Sequence, residues 1–266
     1  MKRKNKRKIR FRRPKVLLGV VSKIVTEEMY EQILKPCIEA LVKYHPNDKI
    51  VIVDSDSEWR YFDEVKKIKS NIIIEDIKNK DYVAGAWFHL LEKYPNEDMY
   101  VLLQDSSRIV RNLEEAYPKK GGVCVFGPRW YKCGSHSAQK VVLDLAKKIL
   151  KKLGKPPRGR QLPEKYPMTA CNSFIVGKRA AEKIAKLNEW KTVLPSAFPP
   201  ANAVGKWNCQ VWERLWGIVF QEASAKVSYL NQLRPRRRGG RTNWLARKKC
   251  WRDIKGADMA DGQGRA

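Results

Sequence analysis

Two acids stand at the ends of apolar runs, where a charge contributes nothing to packing. Asp105 follows Tyr100-Val101-Leu102-Leu103-Gln104, and Asp54 follows Ile50-Val51-Ile52-Val53. A carboxylate in such a place can accept hydrogen bonds from hydroxyl or imide groups of a ligand, or supply a hard oxygen to a divalent cation. A third acid, Glu213, lies between Trp212 and Trp216 in the segment 208–217. There it can take a proton from an attacking hydroxyl, with aromatic faces beside it for a ring to stack on. Each acid also has a plainer reading. Asp54-Ser55-Asp56-Ser57 has the composition of a turn and helix cap, and Asp105 that of a strand-end turn former. Glu213 fits the polar side of an amphipathic helix in which Trp212, Trp216 and Phe220 pack at i, i+4 and i+8. Asp144 and Glu164 are weaker candidates for the proton acceptor.

The elements that must carry these groups follow from periodicity. Val16 to Val21 is a short, β-branched apolar run, the pattern of a strand buried on both faces of a parallel sheet. Thr26 and two acids open a helix with Met29, Ile33, Leu34, Ile38, Leu41 and Val42 on one side, and Pro36 within it implies a kink or restart. Strands are expected at 50–53, 72–74 and 99–104, with helices at 58–69 and 82–93 between them. Beyond 113 the expected order is a strand at 122–126, a helix at 137–153, a Pro, Gly and Arg-rich loop at 154–167, a strand at 168–176, and helices at 178–187 and 209–223. Alternating strands and helices make a doubly wound α/β sheet, whose ligands sit beyond the carboxyl ends of the strands.

Four features taken in order resemble the GT-A fold glycosyltransferases, the nucleotide-diphospho-sugar transferase superfamily: Val20-Val21-Ser22, then Val53-Asp54-Ser55-Asp56-Ser57, then the helix start Tyr82-Val83-Ala84-Gly85-Ala86-Trp87, and finally Met99 to Ile109. The resemblance implies a mixed, mostly parallel sheet flanked by helices in one domain, 15–230, with a nucleotide-sugar half at 15–113 and an acceptor half at 114–230. It further implies a hexosyltransferase type of enzyme moving a sugar from a UDP- or GDP-sugar to a glycan or other hydroxyl acceptor, with inversion if Glu213 is the base. Ser22, Asp54, Asp56, Gly85, Asp105 and Ser107 would bind the donor, and Asp105 would hold Mn²⁺ or Mg²⁺. The chain departs from the family's Asp-x-Asp pattern, because Ser107 stands where the second acid belongs. The cationic role can therefore also fall to Arg108, Lys132 or His136. Asn172 and Ser173 can bond a sugar hydroxyl or simply edge a strand.

The 266-residue chain carries a net charge of +27. Ten Lys and Arg lie in residues 1–15 without an acid, and eleven lie in 231–266 against three acids, which leaves a core of 34 basic and 25 acidic residues. Like-charge blocks of this kind read as a disordered arm, 1–14, and a flexible tail, 231–266. They suit an anionic membrane surface, a polyanionic acceptor or nucleic acid. A nucleic-acid-binding protein is the rival class, though no helix-turn-helix, zinc-finger or RNP motif is present. A nucleotidyltransferase shares the expected sheet, but no Gly-rich phosphate loop follows the first strand. The six Cys are scattered without CxxC spacing, as in a reduced protein, and no apolar run reaches the roughly 18–20 residues of a membrane span. A cytoplasmic location, peripheral to a membrane at most, is the expectation.

Overall fold

The computed structural model describes residues 13–77, 82–118, 121–126, 144, 147–148, 151, 169, 172–187, 206–223, 225–230 and 245–247. Strand β1 (Val16–Ser22) is buried at all seven positions, as its unbroken apolar run requires. It pairs in parallel with β2 (Lys49–Asp54) on one side, and β3 (Ile73–Asp76) extends the sheet beyond β2. On its other side lies β4 (Met99–Gln104), also parallel. A ribbon strand, β5 (Ser107–Ile109), follows, and then β6 (Val123–Phe126) and β7 (Phe174–Gly177) return to the main sheet. β7 runs antiparallel to both β4 and β6, and β8 (Val227–Leu230) closes the far edge parallel to β6. The order is β3-β2-β1-β4-β7-β6-β8, a mixed, mostly parallel α/β sheet.

Because side chains alternate along a strand, one sheet supplies two cores. Leu18, Val20, Ile52 and Val101 face a layer made by α1 (Glu27–Met29), a π-helical turn (Tyr30–Leu34), α2 (Lys35–Tyr44) and α3 (Arg60–Ile68). The Thr26 hydroxyl accepts the Met29 N–H and caps this layer's first helix. The helix restarts at Pro36, as expected: α2 begins at Lys35 after the π-helical turn and carries the proline in its first turn. In the π turn the Lys35 N–H reaches the Tyr30 carbonyl, and a proline in the first turn that follows costs little because its missing N–H belongs among the unpaired donors of a helix start. Leu17, Val51, Tyr100 and Leu102 face the other layer, made by α4 (Tyr82–Lys93), α5 (Lys178–Ala185) and α6 (Lys206–Glu222).

The two charged ends differ from the sequence expectation. Arg13, placed in the arm by its composition, is bonded to Asp48 at 3.3 Å and lies 3.4 Å from Glu114. Asp48 in turn receives buried His45 at Nδ1, 2.9 Å away, while His45 Nε2 accepts the Leu113 N–H. That acceptor role makes Nδ1 the protonated nitrogen of a neutral ring. Arg13 is thus held at the amino edge of the sheet. Within the segment expected to be a flexible tail, β9 (Leu245–Arg247) pairs antiparallel with β5. A three-residue strand shows no periodicity of its own and exists through its partner, which is why the basic composition concealed it.

Gly121 and Gly177 meet backbone to backbone where β6 and β7 begin and end. Gly121 has φ 72°, and a Cβ on Gly177 would lie 2.8 Å from the Gly121 Cα. Neither backbone can yield as a side-chain tip does, so Gly177→Ala is expected to destabilise by about 1–3 kcal/mol. A thermal melt at pH 7 checks this, and an unchanged midpoint would refute the close packing.

Candidate active site

The parallel register places Ser22 beside Asp54, and Val21 beside Gln104, so the carboxyl ends of β2, β1 and β4 stand side by side. Three of the sequence-expected polar groups therefore meet at one edge. The Ser22 hydroxyl donates to Asp105 Oδ2 at 2.9 Å, and the Asp105 N–H bonds the Val21 carbonyl at 3.2 Å. The backbone N–H groups of Ser106 and Lys23 also reach the Asp105 carboxylate. All of these partners are neutral dipoles. Burial raises the Asp105 carboxyl to about 6, and the bonds from Ser22, Ser106 and Lys23 pull the other way without cancelling it. The same burial, with the Asp105 charge as a second cause, pushes the Cys37 thiol in α2 up.

Asp54 does something else. Its two oxygens accept the N–H groups of Asp56 and Ser57 at 3.0–3.2 Å, and its side chain is almost wholly enclosed. These bonds are those of the turn-capping alternative. Capping has its own use here, since it lets the Ser57 hydroxyl accept the Ile24 N–H at 2.8 Å and stitches the loop after β2 to the loop after β1. Asp56 is exposed in the left-handed region, at φ 76°, and pairs with Lys23 at 3.3 Å.

α4 ends where β4 begins, so its first turns, with buried Gly85, lie at the same carboxyl edge as Asp105. Trp87 Nε1 donates to the Asn172 carbonyl at 2.9 Å and ties that turn to the start of β7. Since β7 runs against β4, its start is at this edge too. Asn172 is buried with φ 49°, and the Ser173 hydroxyl accepts the Gln104 N–H at 3.3 Å. Of the two expected roles for Ser173, the contact seen is the one that edges a strand. Thr169 continues the path: its carbonyl accepts the Asn172 N–H, and its N–H and hydroxyl both donate to the Glu213 carbonyl.

The backbone of Glu213 is therefore two hydrogen-bonded steps from Asn172, at the edge that carries Asp105. Its neighbours correct the sequence reading. Trp212 and Trp216 are buried and pack on Phe88, Phe174 and Phe220, so neither ring offers a face to a sugar. Ser107 is buried on the β5–β9 ribbon just past Asp105. Lys132, His136, Glu164 and the loop 154–167 lie outside the described residues, as does most of the helix expected at 137–153. Asp144 pairs with Lys147 at 3.9 Å, with no contact to the strand-end site among those described.

A cation of the Mn²⁺ or Mg²⁺ type requires several hard oxygens in fixed geometry. The motif supplies the single carboxylate of Asp105, already bonded by a hydroxyl and two N–H groups. Among the described residues no group of three or more His, Cys, Asp or Glu side chains assembles a metal site. Among the described residues, Asp105 is thus the one carboxylate that the motif offers to such a cation.

Architecture and site edge together define a class: the chain has the fold of the GT-A-type glycosyltransferases. It aligns with a structure of an active-site mutant of LgtC at TM-score 0.50 and 12% identity, over 81% of this chain and 72% of that one. It is also similar to the glycosyltransferase GlyE of Streptococcus pneumoniae TIGR4, at TM-score 0.47 and 9% identity over 82% of this chain. For TarS of S. aureus in complex with UDP the values are 0.45 and 10%, over 90% of this chain and 62% of that one. The chain spans 45% of the length of GlyE and 39% of that of the bifunctional glycosyltransferase WbbM. No protein-family model and no curated protein matches the sequence.

Proposed function

We propose that the protein transfers a sugar from a nucleoside diphosphate sugar, UDP or GDP being the nucleotide, to a hydroxyl of a glycan or other acceptor. The observation that carries this reading is Asp105: a residue at the carboxyl end of β4 whose carboxyl group is buried, held by Ser22 of the neighbouring strand and facing no protein cation among its described partners. A fold does not tolerate that desolvation for packing alone, and a ligand rich in hydroxyls supplies the missing donors. Ser22 orients Asp105, and Asp105 accepts hydrogen bonds from the donor's hydroxyls. The first turn of α4, opened by Gly85, borders the same space.

Glu213 is assigned as the base that takes the acceptor hydroxyl's proton. As that oxygen bonds to the anomeric carbon, the bond from carbon to the diphosphate oxygen breaks on the opposite side, a single displacement with inversion. Thr169 supports the role by clamping the Glu213 carbonyl through two donors. The basic arm serves as a handle for an anionic membrane surface or nucleic acid. Among the described residues, no helix is long and apolar enough to cross a membrane.

The test is a thermal-shift screen of UDP- and GDP-sugars followed by product mass. A true donor at about 100 times its Kd stabilises the native state by about 2.7 kcal/mol. Glu213→Gln should keep that shift and lose sugar transfer by a factor of about 10²–10⁴. A product heavier by a nucleotide rather than a sugar, or full activity in the variant, overturns the corresponding assignment.

A further inference from the structure

One cation stands loosely held beside Asp105. Lys23 follows Ser22 at the carboxyl end of β1, and its backbone N–H is bonded to the Asp105 carboxylate. Its ammonium turns to Asp56 instead: Nζ lies 3.3 Å from Asp56 Oδ2, with the lysine side chain 41% exposed and the aspartate side chain 87%. An ion pair so open to water stabilises almost nothing, because solvent and salt screen both charges. The backbone nonetheless holds the pair in place. Asp56 stands in the left-handed region at φ 76°, and Asp54 fixes it there by accepting its N–H and that of Ser57. The Ser55 N–H on the Ser22 carbonyl and the Ser57 hydroxyl on the Ile24 N–H fasten the loop after β2 to the residues on either side of Lys23. Packing does not explain an exposed acid in an uncommon backbone conformation, aimed at a lysine that it scarcely stabilises.

Chemistry at this edge requires such a cation. A sugar leaves as both electrons of the bond from anomeric carbon to oxygen pass to the diphosphate, and the charge that develops must be met by fixed positive groups. Asp105 alone would repel it. Among the other described cations that follow the carboxyl ends of the strands, Arg60 is bonded to Glu58 and to the Tyr61 hydroxyl, Arg111 is bonded to Glu115, and Arg108 lies on the exposed side of β5. Lys23 is the nearest to the site along the chain, since the residue before it carries the hydroxyl that holds Asp105. A diphosphate offers more charge and more oxygens than the one carboxylate of Asp56. The flexible stem of lysine lets the ammonium pass from one to the other while the backbone stays in place.

We propose that Lys23 binds the donor's diphosphate and meets the charge of the leaving group, and that Asp56 holds its ammonium until the donor arrives. This rests on the sugar-transfer reading of Asp105. As the donor binds, the ion pair with Asp56 opens and one with a diphosphate oxygen forms. No proton moves in that exchange, and the acceptor's proton passes to Glu213.

The experiment is calorimetric titration of the full-length protein with UDP and GDP in Mn²⁺ at fixed ionic strength, for wild type, Lys23→Gln, Asp56→Asn and the double variant. Lys23→Gln should weaken the preferred diphosphate by about tenfold or more. Asp56→Asn, which suits the left-handed backbone at least as well, should tighten it by about two- to fivefold by freeing the ammonium. In the double variant the asparagine should add nothing, because its effect acts through Lys23. Wild-type affinity in Lys23→Gln, or unchanged or weaker binding in Asp56→Asn, overturns the proposal. So does tightening by the asparagine that persists without Lys23, which would mean that Asp56 repels the ligand directly. Should Lys23→Gln melt lower than wild type, Lys23→Arg decides: the retained charge must keep the affinity within about threefold, and a larger loss overturns the role of Lys23. Wild-type protein that binds neither UDP nor GDP overturns the nucleotide-sugar reading beneath it.

Discussion

Asp105→Asn is expected to abolish sugar transfer and, above pH 6, to make the protein more stable. Both effects come from one buried charge. The carboxyl, ordinarily near 3.8, titrates at about 6 in the folded protein because burial strips its water, and the bonds from Ser22, Ser106 and Lys23 only partly replace it. Below pH 4 the group is protonated folded or unfolded and costs nothing. As the pH rises through 6, the native state must ionise a group that the unfolded chain has already ionised freely, and stability is lost. A shift of this size corresponds to about 1–3 kcal/mol at pH 8. Asparagine keeps an oxygen for the Ser22 hydroxyl and removes the charge, so the variant should melt higher than wild type at pH 8 and converge with it toward pH 4. Each kcal/mol is worth roughly 2–4 °C in a protein of this size. Release of nucleoside diphosphate should fall by at least about 100-fold. A variant that is inactive and less stable at every pH would mean that Asp105 holds the loop together; one that is fully active would remove it from the chemistry.

That trade sharpens what was legible before any coordinates. Strand β4 and helix α4 were readable close to their observed bounds, because the five apolar residues Met99–Leu103 in a row and a largely apolar run over 83–91 admit little else. Asp105 followed as the charge at the end of such a run. Asp54 looked equivalent: the Asp-Ser-Asp-Ser sequence serves equally as ligand contact and as turn, and the N–H groups of Asp56 and Ser57 show that it at least caps the turn. β8 and β9 were invisible for a different reason. Val227–Leu230 and Leu245–Arg247 are too short for a period, and their identity comes from β6 and β5, more than 100 residues earlier. Composition even pointed the wrong way for β9, since a run holding Arg247, Lys248 and Lys249 reads as solvated tail. The partition of charge was informative all the same. Arg13 bonds Asp48 at the amino edge of the sheet, while β9 pairs with β5, which follows β4 beyond the carboxyl edge.

Trp216→Ala should cost about 3–5 kcal/mol, the largest loss of stability expected from any single residue discussed. Its ring is fully enclosed, with centroids 5.0 Å from Phe174, 5.3 Å from Trp212, 5.6 Å from Phe88 and 5.9 Å from Phe220. It thereby joins β7, α4 and α6, the three elements that bring Asn172, Gly85 and Glu213 to the edge occupied by Asp105. Its indole N–H has no hydrogen-bond partner among the described residues, so shape and apolar area hold it there. Trp216→Phe, which discards only that N–H and part of the ring, should therefore cost well under half as much as the alanine variant. Urea unfolding distinguishes the two, and transfer activity normalised to folded protein distinguishes packing from sugar stacking. A platform for a sugar would lose substrate affinity in both variants with little change in unfolding midpoint. A core residue loses stability in proportion to the volume removed, and the folded fraction of the phenylalanine variant keeps its affinity for donor and acceptor.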